Sequence, residues 1–154
     1  MNDDWNSIPL MSDVVDACFE VYRTLGRGFV EKAYKLALSH ELRMRGYTDI
    51  LVEEWIDITY KGFRIEKAFR ADLIVNHELI VELKATDELV PAHHDQLNSY
   101  MLLSGIPYGV LVNFHGKMLK ENLSGKSLGS IRKFSQIRWK PKMNGLPDNS
   151  VHKN

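Results

Sequence analysis

The chain has 154 residues, 44% of them hydrophobic and 10% aromatic, which is the size and composition of one globular domain able to bury its own core. Twenty Lys and Arg balance twenty Asp and Glu, so no global field marks a polyanion partner, and the single cysteine, Cys18, excludes an internal disulfide and a cysteine-rich zinc site. No run of about 18 apolar residues and no basic-then-apolar leader occurs, so the expectation is a chain that is neither secreted nor membrane-spanning, in a reducing cytoplasmic setting.

The spacing of Val14, Val15, Cys18, Phe19, Val21 and Tyr22 predicts a helix over 12–25, with Ser12 or Asp13 as its N-cap and Gly26-Arg27-Gly28 as its stop. A second helix is predicted from Phe29 to Arg45, with Gly46 as its C′ residue. Ala33, Leu36, Ala37, His40 and Met44 form one stripe on it, and Tyr34, Leu38 and Leu42 form another, so most of its circumference is expected to be buried. Residues 50–60 alternate as a strand, with Trp55, Asp57 and Thr59 on one face and Ile56, Ile58 and Tyr60 on the other. Lys61-Gly62 turns into a further strand over 63–69.

A hairpin follows, in which "DLIV" and "LIVELKA" flank Asn76-His77-Glu78. Pro91 opens a helix that runs to about Leu103 and ends at Gly105 and Pro107, and 108–114 is a short apolar strand with "GKMLKENL" as its candidate partner. A last strand is expected over 131–139 and a disordered tail over 141–154, which leaves one domain over 1–140. From Lys117 to Lys153 nine Lys or Arg face two acidic residues, so any nucleic-acid affinity there is local and salt-sensitive. Hairpin-linked strands followed by a β-α-β step imply an α/β fold: a mixed sheet with helices packed on it.

The chemistry concentrates in the hairpin. Glu82 and Lys84 are two residues apart on one strand and so share a face. If the loop is Asn76-His77-Glu78, Val75 faces Leu79, Ile74 faces Ile80 and Asp72 faces Glu82; a two-residue loop instead pairs Asp72 with Val81 and throws the acids to opposite faces. Two carboxylates so close repel, and a divalent cation relieves them. Mg²⁺ prefers oxygen ligands and keeps several waters, which suits such a pair, with Lys84 placed to act on water or on developing phosphoryl charge. The plain alternative is that Asp72 and Glu82 form ordinary salt bridges with Lys84 and Arg70.

Glu31 and Tyr34 share one helix face and Gln96 and Tyr100 another, each pairing an acid or amide with a phenol. Packing is the competing role for both tyrosines, and a favourable first-turn charge the competing role for Glu31. Trp55 is weighed between stacking on a base and packing on the sheet, the latter favoured. Of the adjacent histidines, which cannot face one metal from a helix, His93 is a site-lining candidate and His94 is expected to be solvated.

"GFVEKAY" (28–34) reads G-x-x-E-x-x-Y. With "RADLIV" (70–75), "VELKA" (81–85), "PAHHDQLNSYM" (91–101) and "YGVLVNF" (108–114), in that order, it closely resembles the GxxExxY proteins of the PD-(D/E)xK nuclease superfamily. The resemblance spans about Val14 to Leu119 and implies a restriction-endonuclease-like core. It implies Asp72 and Glu82 as metal-binding acids, Lys84 as the catalytic lysine, the Leu83 backbone carbonyl as an extra ligand and Glu31 as a helix-borne acid. Gln96 and Tyr100 resemble the Q-x-x-x-Y element of RecB-type exonucleases, beside substrate, with Tyr34 and His93 as further neighbours. Ala71 stands where the superfamily often has a proline. The implied activity is Mg²⁺-dependent (Mn²⁺ as substitute) phosphodiester hydrolysis of nucleic acid, DNA before RNA, with no membrane partner and a second copy of the chain as a candidate partner. The competing reading is a catalytically silent module of the same fold that binds nucleic acid or protein.

Overall fold

A computed structural model describes residues 7–131. In chain order the elements are α1 (Pro9–Leu25), α2 (Glu31–Met44), β1 (Ile50–Tyr60), β2 (Phe63–Val75), β3 (Leu79–Lys84), α3 (Pro91–Ser104), β4 (Tyr108–Asn113) and β5 (Leu123–Ser127). The five strands lie in the order β1-β2-β3-β4-β5; only β3–β4 is parallel, because α3 carries the chain back across the sheet between them.

Local chemistry accounts for the helix ends. Pro9, rather than Ser12 or Asp13, opens α1: its fixed φ and missing N–H suit a first helical position, and Ser12 N–H bonds to the Ile8 carbonyl inside the first turn. Pro91 starts α3 in the same way, and Gly105 ends it in the left-handed conformation at φ 74°. α2 is shorter than its pattern suggests, and its two stripes part ways. Tyr34, Lys35, Leu38, Ser39 and Leu42 are buried, whereas Leu36, His40 and Met44 face solvent. The Tyr34, Leu38 and Leu42 stripe is the one that meets the core, and beside it Lys35 and Ser39 are buried in place of the Ala33 to Met44 stripe.

β1 covers the predicted residues. The two strands expected at 63–69 and 72–75 are one continuous β2, so the β1–β2 ribbon runs on beyond the short β3 and most of its outer half is exposed. The partner of β4 is not "GKMLKENL": Leu119–Asn122 makes a 3₁₀ turn and the strand follows as Leu123–Ser127, low in apolar residues because it is the sheet edge. Ile131 is helical, and the rest of the strand expected over 131–139, like the tail, lies outside the described residues.

Two apolar clusters sandwich the sheet. α1 and α2 pack Val14, Cys18, Leu38 and Leu42 against Leu73, Val75, Leu79, Val81 and Leu83; α3 packs Leu97 and Met101 against Ala71, Ile74, Ile80 and Leu111. β3 is thus buried on both faces. No helix among the described residues is long and apolar enough to cross a membrane.

Candidate active site

The hairpin register is the three-residue-loop one. Val75 pairs with Leu79, Ile74 with Ile80 and Leu73 with Val81. Asn76 and His77 both take φ 54°, and Glu78 N–H closes on the Val75 carbonyl at 3.0 Å, a left-handed turn of the kind that matches strand twist. The ladder stops after Leu73–Val81, so Asp72 and Glu82 stand at the point where the strands part. Their carboxylates take over the freed backbone donors: Asp72 N–H donates to Glu82 Oε1 at 3.1 Å, and Leu83 N–H donates to Asp72 Oδ2 at 2.9 Å. These bonds fix both carboxylates without spending a second strand on them.

The facing of β2 changes at the same place. Leu73 and Val75 pack towards α1 and α2, while Ala71 joins Ile74 on the α3 side, so strict alternation breaks at Asp72. On β1 the Val52–Leu73 and Glu54–Ala71 pairs bracket Glu53, which sits at φ 54°. A left-handed glutamate inside a strand is a strained conformation that needs a compensating contact. That contact is Lys35, whose Nζ lies 3.3 Å from Glu53 Oε1 and 2.7 Å from Asp72 Oδ1. With its side chain 7% exposed and that of Asp72 14%, the pair is screened little by water. Lys35 and Glu53 were not singled out from the sequence. The available signal was Lys35 standing four residues after Glu31, hence on its helix face.

On the α3 side, Lys84 Nζ donates to Gln96 Oε1 at 3.0 Å, and the Gln96 amide donates to the Tyr100 hydroxyl at 2.7 Å. Tyr100 stacks on Phe69 with centroids 3.9 Å apart, which anchors the far end of this chain of bonds. Asn113, fully buried at the end of β4, clamps the segment after Lys84 by accepting from Thr86 N–H and donating to the Thr86 carbonyl.

Electrostatics mark the pair. The Glu82 carboxyl is pushed up to about 8, first by burial and then by the Asp72 charge. Burial and then Asp72 also raise Glu31, while Lys84 and Lys35 oppose the rise, so Glu31 belongs to the same field. Even so, among the described residues no three His, Cys, Asp or Glu side chains are drawn together as a ready-made metal cluster. Glu31 stands near enough to the acid pair to feel the Asp72 charge.

Two expected neighbours have partners of their own. Tyr34 is fully buried and stacked on Phe114 at 4.6 Å; its hydroxyl donates to the Gly26 carbonyl at 2.6 Å and accepts from Phe29 N–H at 3.3 Å. It braces the loop that delivers Glu31 to the start of α2. His93 folds back on its own helix, its Nδ1 accepting from Val90 N–H at 3.1 Å. His94 is half-buried rather than solvated: it lines an open cavity of about 690 Å³ with Leu89, Met118, Lys120, Glu121, Leu123 and Ser124. Burial, helped by Lys126 and His93, lowers its pKa.

A mixed five-stranded sheet between two helical layers, with an acid pair and a lysine gathered where one hairpin opens, defines a restriction-endonuclease-like α/β domain. The model of the PD-(D/E)XK nuclease superfamily matches residues 9–124, and the chain belongs to that superfamily. No curated protein matches it. The crystal structure of SSO0001 is similar at 20% identity over 85% of this chain and 78% of that one, with a TM-score of 0.35, too distant a superposition to bear on function.

Proposed function

We propose that the protein is a divalent-metal-dependent nuclease that hydrolyses phosphodiester bonds in nucleic acid, DNA before RNA, with Asp72, Glu82 and Lys84 as its catalytic set. The observation that carries the reading is the mutual arrangement of Asp72 and Glu82, two carboxylates fixed by backbone N–H groups with Glu82 held well above the usual carboxylate range. Within the superfamily, Gly28, Glu31 and Tyr34 support a protein of the GxxExxY type, in one domain ending near residue 140. Buried, unpaired Cys18 supports a cytoplasmic setting.

The donor set fits a hard cation such as Mg²⁺: all oxygens, few in number, leaving room for water. Asp72 and Glu82 would hold it, with the Leu83 carbonyl and, at longer range, Glu31 as further donors. When bound, it supplies Lewis-acid polarisation of a phosphoryl oxygen and a more acidic attacking water. The chain's own groups do the rest. Leu83 N–H and Lys35 orient Asp72, while Gln96 holds the Lys84 ammonium beside the pair, where it can accept charge developing on the phosphoryl oxygens or orient the attacking water. Tyr100 steadies Gln96 from behind.

Purified protein with Mg²⁺ or Mn²⁺ is expected to cleave single- or double-stranded DNA or RNA, and Asp72→Ala or Lys84→Ala to lower the rate at least about a hundredfold with unchanged circular dichroism. Cleavage that survives both substitutions would sink the assignment. One observation favours a silent binding module instead: the Lys35 ammonium, 2.7 Å from Asp72 Oδ1, is itself a counter-ion for Asp72. That reading gains if calorimetry detects no Mg²⁺ or Mn²⁺ binding by the native chain.

A further inference from the structure

The β1–β2 ribbon carries aromatic residues that no core claims. Trp55 is 49% exposed, against the sheet-face packing expected for it, and Tyr60 and Phe63 at the ribbon tip are more exposed still. Trp55 is paired directly with Arg70 across the ribbon, and the guanidinium carbon lies 5.6 Å from the indole centroid. Arg70 is therefore preorganised over an aromatic face by a cross-strand contact. A second such pair, Lys61 over Tyr60 at 5.5 Å, stands further out. Arg64, by contrast, is tied to Asp57.

The Trp55–Arg70 pair is continuous with the acid pair. Arg70 Nη1 is 3.9 Å from Glu53 Oε2, Glu53 is bound to Lys35, and Lys35 is bound to Asp72. Arg70 also precedes Asp72 by two residues on one strand, a rise of about 7 Å. A cation and a flat apolar ring, side by side, exposed and next to the carboxylates, match the two parts of a nucleotide outside a duplex: a phosphate and an unstacked base. The paired bases of a duplex present no free face to a ring, whereas every unpaired base does.

We propose that Trp55 and Arg70 form a clamp for single-stranded nucleic acid, the indole stacking a base and the guanidinium holding the phosphate adjacent to the one hydrolysed. The clamp rests on the nuclease reading for its role but not for its detection, since binding is measured without metal or turnover. Fluorescence anisotropy of the full chain in EDTA, with a labelled single-stranded DNA oligonucleotide, is expected to show Trp55→Ala weakening binding about tenfold and Trp55→Phe restoring most of it. Arg70→Gln is expected to weaken binding and to lower the slope of log affinity against log salt by about 0.7, the loss of one phosphate contact. The share of the tryptophan quenching by the oligonucleotide that comes from Trp55 should be lost in Trp55→Phe, which leaves Trp5 and Trp139 to report contacts elsewhere. Both side chains are exposed, and unchanged melting temperatures check that the variants fold. Equal affinity of native and Trp55→Ala protein for the single strand, or tighter binding of a duplex of the same sequence than of the single strand, overturns the clamp. Loss of cleavage in Asp72→Ala with normal binding in Trp55→Ala refutes the clamp alone. Absence of cleavage in the native chain with a tenfold binding loss in Trp55→Ala refutes the nuclease reading alone.

Discussion

Lys35 is the cation nearest the acid pair, bound to Asp72 at 2.7 Å. Four carboxylates, those of Glu31, Glu53, Asp72 and Glu82, share one neighbourhood with two ammonium groups, those of Lys35 and Lys84. The Lys35 ammonium sits at hydrogen-bond distance from Asp72, where a divalent cation would also have to reach. Removing one partner of a buried pair costs about 3–5 kcal/mol, so Lys35→Met is expected to destabilise the metal-free chain by about 2–4 kcal/mol, the partial exposure of Glu53 taking off some of the cost. Mn²⁺ should return more stability to the variant than to the native chain, because the cation then neutralises a charge that nothing else does. Urea unfolding with and without Mn²⁺ reads both effects, and an equal Mn²⁺ gain in the two proteins would show that Lys35 and the cation do not share Asp72. Glu31 and Gln96 are legible in the sequence because helical spacing pairs them with tyrosines. Lys35 is not, since a lysine in a helix is an exposed residue by habit and only packing against the sheet shows otherwise.

At the scale of elements, α3 must lie close to β4 to bring Gln96 to Lys84, and Gly109 is what permits it. A Cβ at this position would meet Met101 Sδ at 2.5 Å and the two Leu97 methyl carbons at 3.1 and 3.2 Å. Gly109→Ala is therefore expected to push α3 off the sheet. The expected cost is about 1–3 kcal/mol of overpacking, seen as a fall in melting temperature of several degrees, together with a loss of activity beyond what the lower stability explains. A cost in the Gly109→Ala, Met101→Ala double variant smaller than the sum of the two single costs would confirm the contact; a melting temperature unchanged in the Gly109→Ala variant would refute it. The elements themselves are mostly readable from periodicity, and β1 and α3 follow their patterns closely. β5 and the buried face of α2 do not. An edge strand needs few apolar residues, and the periodicity of α2 does not say which of two adjacent stripes meets the core.

For the whole molecule, Glu82 links stability, proton binding and metal binding. Its carboxyl is raised from 4.5 to about 8 in the folded chain, so between these values the native state holds a proton that the unfolded state has released. Unfolding free energy then falls with rising pH. This contribution is fully present below about 4.5 and is lost as pH climbs through about 8. Glu82→Gln, which cannot ionise, should gain stability relative to the native chain across that window, measured by denaturant midpoints at several pH values. A divalent cation binds the ionised pair, so below pH 8 its uptake should release about one proton and its affinity should rise about tenfold per pH unit. Calorimetry in two buffers of different ionisation enthalpy counts that proton, and a count of zero would exclude Glu82 as a ligand.

The amino-acid sequence by itself determined the α/β class, the three helices and the hairpin, and it singled out Asp72, Glu82 and Lys84 as candidates while leaving the loop length open between two residues and three. All of these follow from short-range spacing, turn chemistry or an ordered set of motifs. Only the tertiary structure decided that the ladder opens at Asp72, that Lys35 and Glu53 enter the site, that Tyr34 braces a loop and that Trp55 lies open to solvent. Each of those depends on which faces meet across the fold. Facing is set by the merging of two predicted strands into one long ribbon and by a break of alternation at Asp72, across from the left-handed Glu53, neither of which a period of two can show.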